Sequence, residues 1–180
     1  MKLKTIALIF TSILMISVNL MAQNNSTLND RQRSIAASEE KGCTGFPKGQ
    51  PNNAYARYFT GNSYLAPLKP VNLSEGESTV LPMSNVTFEP GCRNNWHIHH
   101  GARQVLICVS GEGWYQEWGK PAIKLKAGDV VDIPEGVKHW HGATKDGWFQ
   151  HIATHVATGG ESSNEWLEPV TDEQYAACEK

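Results

Sequence analysis

Histidine side chains are concentrated between residues 91 and 143 of this 180-residue chain. Two groups are present there: His97, His99 and His100 in the first, and His139 and His141 in the second. Each group contains a pair at positions i and i+2, and such a pair points to one face of a β-strand. Neutral imidazole is the most common metal ligand among side chains. The pattern therefore predicts one divalent metal ion held between two strands.

A fourth ligand is available from Gln104, which follows the first histidine group. Three nitrogens from His97, His99 and His139, together with one amide oxygen, would leave one or two coordination positions open, as a catalytic site requires. A single histidine pair on a strand is more often a surface feature or a hydrogen-bonded part of the core. Here two histidine pairs are present, one at each end of a run of β-type segments. This arrangement favours a metal site over a surface or core role.

The residues that must position these histidines have the pattern of short strands. The segments between the two groups are QVLICV, GWYQEW, AIKLKA and DVVDIP. A glycine-rich turn is expected at the end of QVLICVSGEG, and a hairpin turn near residues 119–121. We count eight to ten strands and no substantial helix in the domain, with one short helix expected to begin at Thr171. This predicts an all-β fold with a single barrel or jelly roll.

The chain divides by composition into four parts. Lys2 and Lys4 precede an apolar stretch over residues 6–21, which is shorter than the roughly 20 residues of a spanning helix. Residues 1–22 are therefore interpreted as a signal peptide, with an uncleaved membrane anchor as the alternative. A polar linker (23–50), the barrel domain (51–158) and a C-terminal tail (159–180) follow. The mature chain is expected to be exported, periplasmic or secreted, without stable membrane insertion.

The chain contains four cysteines, at Cys43, Cys92, Cys108 and Cys178. Export permits disulfides, and four cysteines allow three pairings. A link between Cys43 and Cys178 would join the two terminal segments. Cys108 lies in the middle of a strand and is expected to be a small core residue.

Two long motifs around the histidines resemble those of the cupin family. The first contains Gly91, His97, His99, position 104 and Gly111, and the second contains Gly128, Pro134, Gly136, His139 and position 143. The resemblance implies a conical β-barrel, the double-stranded β-helix, with a metal ion in its mouth and a homodimeric assembly. Two positions depart from the family pattern, since Gln104 replaces the usual Glu and Ala143 the usual Asn.

A narrower resemblance rests on FEPGCRNNWHIHH, GWYQEWGKPA, GDVVDIP and VKHWHGA. These segments are similar to small bacterial cupins associated with carboxymuconolactone decarboxylase domains, a group that includes the manganese-dependent hydroxynitrile lyases. Those lyases hold their ion through three histidines and one glutamine, which implies His97, His99, Gln104 and His139 here. Manganese is favoured, and iron, nickel, copper or zinc would also suit this ligand set.

Position 104 has two alternative interpretations. The loop from His99 to Gln104 is one residue longer than in the lyases, so His100 is a substitute ligand if Gln104 falls short. Alternatively, Gln104 marks a site that has lost its metal.

The remaining site residues are assigned by their phase on the strands. His141 points the same way as His139, and it is either a general base, a group that holds the leaving group, or a side chain that orients a ligand. His155 is a second candidate base and is in phase with His151, although either is also typical of a hydrogen-bonded strand residue. Ser84, Val86 and Phe88 form the inward face of the preceding strand and are expected to line a substrate pocket.

Three functions are compatible with these features. The resemblance implies a lyase in which His141 or His155 accepts the hydroxyl proton of a cyanohydrin and cyanide departs. A quercetinase-like dioxygenase and a non-catalytic module that binds a small ligand or carbohydrate are the alternatives. A net charge of −2 with scattered lysines and arginines excludes a nucleic-acid footprint, so the expected partner is a small molecule.

Overall fold

The computed structural model describes residues 45–72, 80–158 and 161–180. These residues form fourteen strands, one 3-10 helix (Asn53–Tyr58) and one α-helix, α1 (Asp172–Cys178). The strands are β1 (Gln50–Pro51), β2 (Phe59–Thr60), β3 (Ser63–Pro67), β4 (Val71–Asn72), β5 (Val80–Leu81), β6 (Met83–Phe88), β7 (Arg93–Asn94), β8 (His97–His100), β9 (Ala102–Glu117), β10 (Ile123–Lys126), β11 (Val130–Ile133), β12 (His139–Ala143), β13 (Phe149–Ala157) and β14 (Ser163–Trp166).

Strand β9 connects the two halves of the sheet. Its first part pairs with β11 and β13, and its second part pairs with β10 and β12, all antiparallel. The main order is β1-β3-β6-β13-β9-β12-β7-β2, and β8 joins β12 and β14. Because one long strand belongs to both halves, the sheet curls around a common interior. The prediction of an all-β barrel is confirmed.

The predicted glycine-rich turn at the end of QVLICVSGEG is wrong, because β9 continues through it. Gly111 has φ +71°, and a Cβ at this position would lie 1.8 Å from the Trp148 carbonyl oxygen. A Cβ on Gly113 would lie 2.5 Å from the Gly142 carbonyl oxygen. The glycines are needed where β9 passes from one half of the sheet to the other and neighbouring backbones approach closely.

The barrel interior is filled by alternating side chains from both halves of the sheet. The buried cluster contains Val86, Phe88, Cys92, Leu106, Cys108, Tyr115, Leu125, Ile133, Ala143 and Phe149. Cys108 is thus a core residue, as predicted. Burial raises the pKa of its thiol to about 12, so the group stays protonated at neutral pH.

A second buried cluster attaches the C-terminal helix to the outside of β12. It consists of Trp96, Trp140, Val170 and Tyr175. Helix α1 begins after Thr171, whose hydroxyl accepts a hydrogen bond from the Gln174 backbone, and the Gln174 side chain accepts one from the Thr171 backbone. This capping box confirms the predicted short helix.

The proposed signal peptide, most of the polar linker and Cys43 lie outside the described residues. The predicted pairing of Cys43 with Cys178 therefore stays a prediction. Within the part of the chain that the structure describes, no helix has the length and apolar character needed to cross a membrane.

Candidate metal centre

Three histidines from two neighbouring strands converge inside the barrel. β8 and β12 pair so that His97 lies opposite His139, and alternation along β8 places His99 on the same side as His97. The candidate ligand nitrogens of these three residues all lie within 4.8 Å of one another. All three residues are buried. Three imidazoles at this spacing form one face of a coordination shell.

Backbone carbonyls set the proton positions of two of these rings. Nδ1 of His97 donates to the carbonyl oxygen of Asn95 at 2.9 Å. Nδ1 of His139 donates in the same way to Val137, also at 2.9 Å. In a neutral imidazole the other nitrogen then carries a lone pair, so each ring presents Nε2 to the interior as a ligand.

The third ring is oriented by a side chain. Nδ1 of His99 lies 2.6 Å from Oδ1 of Asn164 on β14 and donates to it. Its Nε2 is buried and has no partner of ordinary hydrogen-bond geometry among the described residues. A buried lone pair without a partner is costly. A metal ion bound at Nε2 of His99 would satisfy this lone pair.

Gln104 reaches the centre in spite of the longer loop. Its Oε1 lies 3.2 Å from Nε2 of His139, and its Nε2 donates to Nε2 of His155 at 3.3 Å. Since the proton of His139 is on Nδ1, two lone pairs face each other between Gln104 and His139. A cation between them would satisfy both, so the four residues fit a divalent metal ion.

The alternative ligand His100 points away from the centre. It is half exposed at the end of β8, and its Nε2 lies 2.8 Å from the Glu165 carboxylate. The predicted loop also shrinks to Gly101, because β8 ends at His100 and β9 begins at Ala102. Gly101 has φ +66°, which permits this tight connection.

Burial keeps the three candidate ligands neutral. It lowers the pKa of His139 to about 4. Burial, followed by the nearby His139 and His99, lowers the pKa of His97 well below its usual range. Burial also lowers the pKa of His99. At neutral pH all three rings therefore carry the lone pair that a metal requires.

A cavity of about 240 Å³ opens beside these histidines. Ser84, Val86 and Phe88 on β6 line it, where the sequence places them. Their role toward a substrate stays a prediction. The segment before β2 and strand β14 also contribute to the lining, with Asn52, Tyr55, Asn164 and Trp166.

The ring of His141 lies 5.7 Å from the ring of His97, and the residue is held by Asn94. Its backbone N–H donates to Asn94 Oδ1 at 2.9 Å, and Asn94 Nδ2 donates to Nε2 of His141 at 3.0 Å. Burial, followed by the nearby His151 and His97, lowers its pKa well below the usual range. One ring nitrogen is thus already occupied as an acceptor.

His151 is the deepest of the additional histidines. It is fully buried, and its ring lies 4.8 Å from the ring of His141 in an edge-on arrangement. Neither ring nitrogen has a hydrogen-bond partner among the described residues. Burial lowers its pKa to about 3. Strand alternation predicts that His151 and His155 lie on the same face of one strand. That the His151 ring has no hydrogen-bond partner among the described residues is visible only in the structure.

His155 lies at the rim and contacts two of the candidate ligands. It is half-buried, sits opposite Gln104 across β9 and β13, and accepts the amide hydrogen bond of that residue. Its ring is 4.6 Å from the ring of His99. Burial and then His99 lower its pKa to about 4.

An aromatic wall beside the ligands was not expected from the sequence. The Trp166 ring lies 4.8 Å from the ring of His97 and stacks on Tyr58 at 4.6 Å and 8°. Trp166 and Asn164 come from the segment that composition assigns to the tail. Their i and i+2 spacing was the available signal, since both share one face of β14.

The model of the cupin domain family matches residues 84–150 of this chain. An (R)-mandelonitrile lyase from Granulicella tundricola is 38% identical over 120 residues, which cover 67% of this chain and 87% of that protein. The chain belongs to the cupin family. A cupin-like protein from Thermotoga maritima is 40% identical, with a TM-score of 0.62, over 74% of this cupin and 95% of the solved chain. The relatives of this cupin thus include an enzyme.

Proposed function

We propose that this cupin is a metal-dependent lyase that splits a small 2-hydroxynitrile into a carbonyl compound and hydrogen cyanide. The observation that carries the proposal is the convergence of four neutral donors, from His97, His99, Gln104 and His139, beside a cavity. That cavity is also lined by His151, whose ring has no hydrogen-bond partner among the described residues. The likeness to a mandelonitrile lyase supports the choice of reaction.

The four donors would hold one divalent metal ion, and manganese is favoured by the family resemblance. When bound, the ion supplies a Lewis acid that polarises a substrate oxygen. The ligand shell carries no negative charge, because Gln104 stands where most cupins have Glu. A neutral shell favours negative charge developing on the substrate.

His151 is the best-placed proton acceptor of the three additional histidines. His141 already accepts a hydrogen bond from Asn94, and His155 already accepts one from Gln104. Among the described residues neither ring nitrogen of His151 has a hydrogen-bond partner, so a lone pair is free to take the hydroxyl proton. Burial lowers the pKa of His151 to about 3, so the ring is neutral but weakly basic at pH 7, and the negative charge that develops on the substrate has to stabilise the protonated ring. We therefore add His151 to the sequence-based candidates His141 and His155 and assign it the main role.

In the proposed reaction the proton moves only between the substrate, a histidine side chain and the departing cyanide. His151 takes the hydroxyl proton, the hydroxyl carbon becomes a carbonyl, and the carbon–carbon bond to the nitrile breaks with its electron pair leaving as cyanide. The proton then passes from His151 to cyanide, which regenerates the neutral imidazole. His141, with its ring next to His151, supports this transfer.

The cavity walls suit a compact substrate with an aromatic or aliphatic substituent. Several apolar and aromatic side chains line the cavity. Val86 and Phe88 are buried, Phe59 and Trp166 are half-buried, and Tyr55 is exposed. An aryl group can pack against these rings while the hydroxyl group faces the histidines.

Cyanide release from mandelonitrile tests the proposal. We expect the manganese-loaded protein to release cyanide at a rate well above the buffer rate, and His151→Phe to reduce that rate at least about 100-fold, the scale of general base catalysis. His100→Phe, which changes a half-exposed histidine outside the cavity, is the matched control and should keep wild-type activity.

If the metal-loaded wild type releases no cyanide, the proposed lyase activity is contradicted. Oxygen uptake with a flavonol or a diketone, in the absence of cyanide release, would instead support the dioxygenase alternative. Tight binding of a small ligand without turnover would support the alternative of a non-catalytic binding module.

A further inference from the structure

Strand β14 supports the candidate metal centre from outside the region that the family model matches. It pairs with β8 so that Asn164 lies opposite His99 and Trp166 lies opposite His97. The Asn164 side chain contacts the His99 ring, and the Trp166 side chain contacts the His97 ring. The chain beyond residue 150 thus contributes to the ligand environment, although it supplies none of the four candidate ligands.

The three ligand histidines differ in how their Nδ1 protons are held. His97 and His139 each donate to the backbone carbonyl two residues earlier. No side-chain substitution removes those acceptors. His99 donates instead to the Asn164 side chain, with the heavy atoms 2.6 Å apart. The orientation of His99 therefore depends on a group that can be replaced.

We propose that Asn164 is a positioning residue for the metal centre, and that its amide oxygen holds His99 in the tautomer and orientation that direct Nε2 to the ion. The inference rests on the metal centre of the proposed function. Without this acceptor the imidazole proton can move to Nε2, where it blocks coordination, and the ring can rotate. Residues that hold a metal-bound histidine in this way commonly contribute 10- to 100-fold in metal affinity.

The position of Asn164 on β14 allows an effect of its substitution on metal binding to be distinguished from an effect on folding. Asn164 is an exposed residue at the rim of the cavity, away from both buried clusters. Its neighbour Glu165 lies on the opposite face of the strand and contacts the half-exposed His100. Replacing either residue with leucine removes one polar side chain from β14, but only the Asn164 substitution removes the acceptor of His99.

The test measures the manganese dissociation constant of the full chain by competition with a chelator. Asn164→Leu should weaken manganese binding about 10- to 100-fold, and Asn164→Asp, which keeps an oxygen acceptor, should restore wild-type affinity or exceed it. Glu165→Leu should bind manganese like the wild type. Cobalt-substituted samples should show a changed visible absorption spectrum only for Asn164→Leu, since a purely structural role would not alter the ligand field.

The possible outcomes separate this inference from the proposed function. Unchanged affinity and spectrum in Asn164→Leu, with manganese bound tightly by the wild type, would overturn the role of Asn164 alone. An equal loss in Glu165→Leu would overturn it too, because the cause would then be β14 packing. A wild type that binds no manganese would overturn the metal centre and this inference together. Asn164→Ala repeats the comparison with a smaller side chain.

Discussion

At the scale of single residues, proton positions on imidazoles determine what the site can do. Nδ1 of His97, of His99 and of His139 each donates to an oxygen, which leaves three Nε2 lone pairs in one place. His141 accepts from Asn94, and His151 has no partner among the described residues. Similar side chains therefore acquire different roles from the groups that contact them.

The burial of His151 predicts a pH dependence of stability in the metal-free protein. Its pKa is about 3 in the folded chain, against about 6.5 in the unfolded chain. Between these values the unfolded chain binds a proton that the folded chain does not, so stability falls as the pH drops. His151→Phe should reduce the loss of unfolding free energy between pH 7 and pH 4 by about 3 kcal/mol.

Urea unfolding of the metal-free wild type and of His151→Phe at several pH values measures this difference. Equal slopes of unfolding free energy against pH in the two proteins would contradict the burial of an uncharged His151.

At the scale of elements, the path of β9 determines how the barrel closes. Gly111 and Gly119 have similar backbone angles, with φ +71° and +77°, but only Gly111 lies against another backbone. Gly119→Ala should cost about 1–2 kcal/mol, the strain of a left-handed residue. Gly111→Ala adds a clash with the Trp148 carbonyl oxygen and should cost at least about 2 kcal/mol more.

Unfolding free energies of both variants provide the comparison, with Gly119→Ala as the matched control. If the two substitutions destabilise equally, the close approach of β9 to Trp148 is not a constraint on the fold.

The same elements show what the sequence can predict. Alternation predicts that His97, His99, His139 and His141 face inward, because strand periodicity is a local property. It misses the passage of β9 through Gly111, because glycine marks both a turn and a close backbone approach. It also misses β14, since SNEW is short and polar and pairs with β8 only through long-range contacts. The positions of Asn164 and Trp166 follow from that pairing.

At the scale of the whole molecule, we propose that the chain is exported and that residues 1–22 are removed. Lys2, Lys4 and the apolar stretch after them support the signal peptide. Intact mass spectrometry of protein from the periplasmic or culture fraction should give the mass of a chain that starts at Gln23. A full-length mass in the membrane fraction would favour the uncleaved anchor instead.

We also propose a homodimer, which follows from the family resemblance. Sedimentation of the purified chain should give twice the mass of one chain, and a single-chain mass at micromolar concentration would contradict it.

The proposed lyase activity and the proposed role of Asn164 both depend on the metal centre. Elemental analysis of protein purified without chelator tests it most directly, with wild type, His139→Ala and His100→Ala prepared in parallel. We predict about one divalent ion per chain, with manganese favoured, in the wild type and in His100→Ala, and almost none in His139→Ala. Full occupancy in His139→Ala, or a wild type without metal, would contradict the centre formed by three histidines and Gln104.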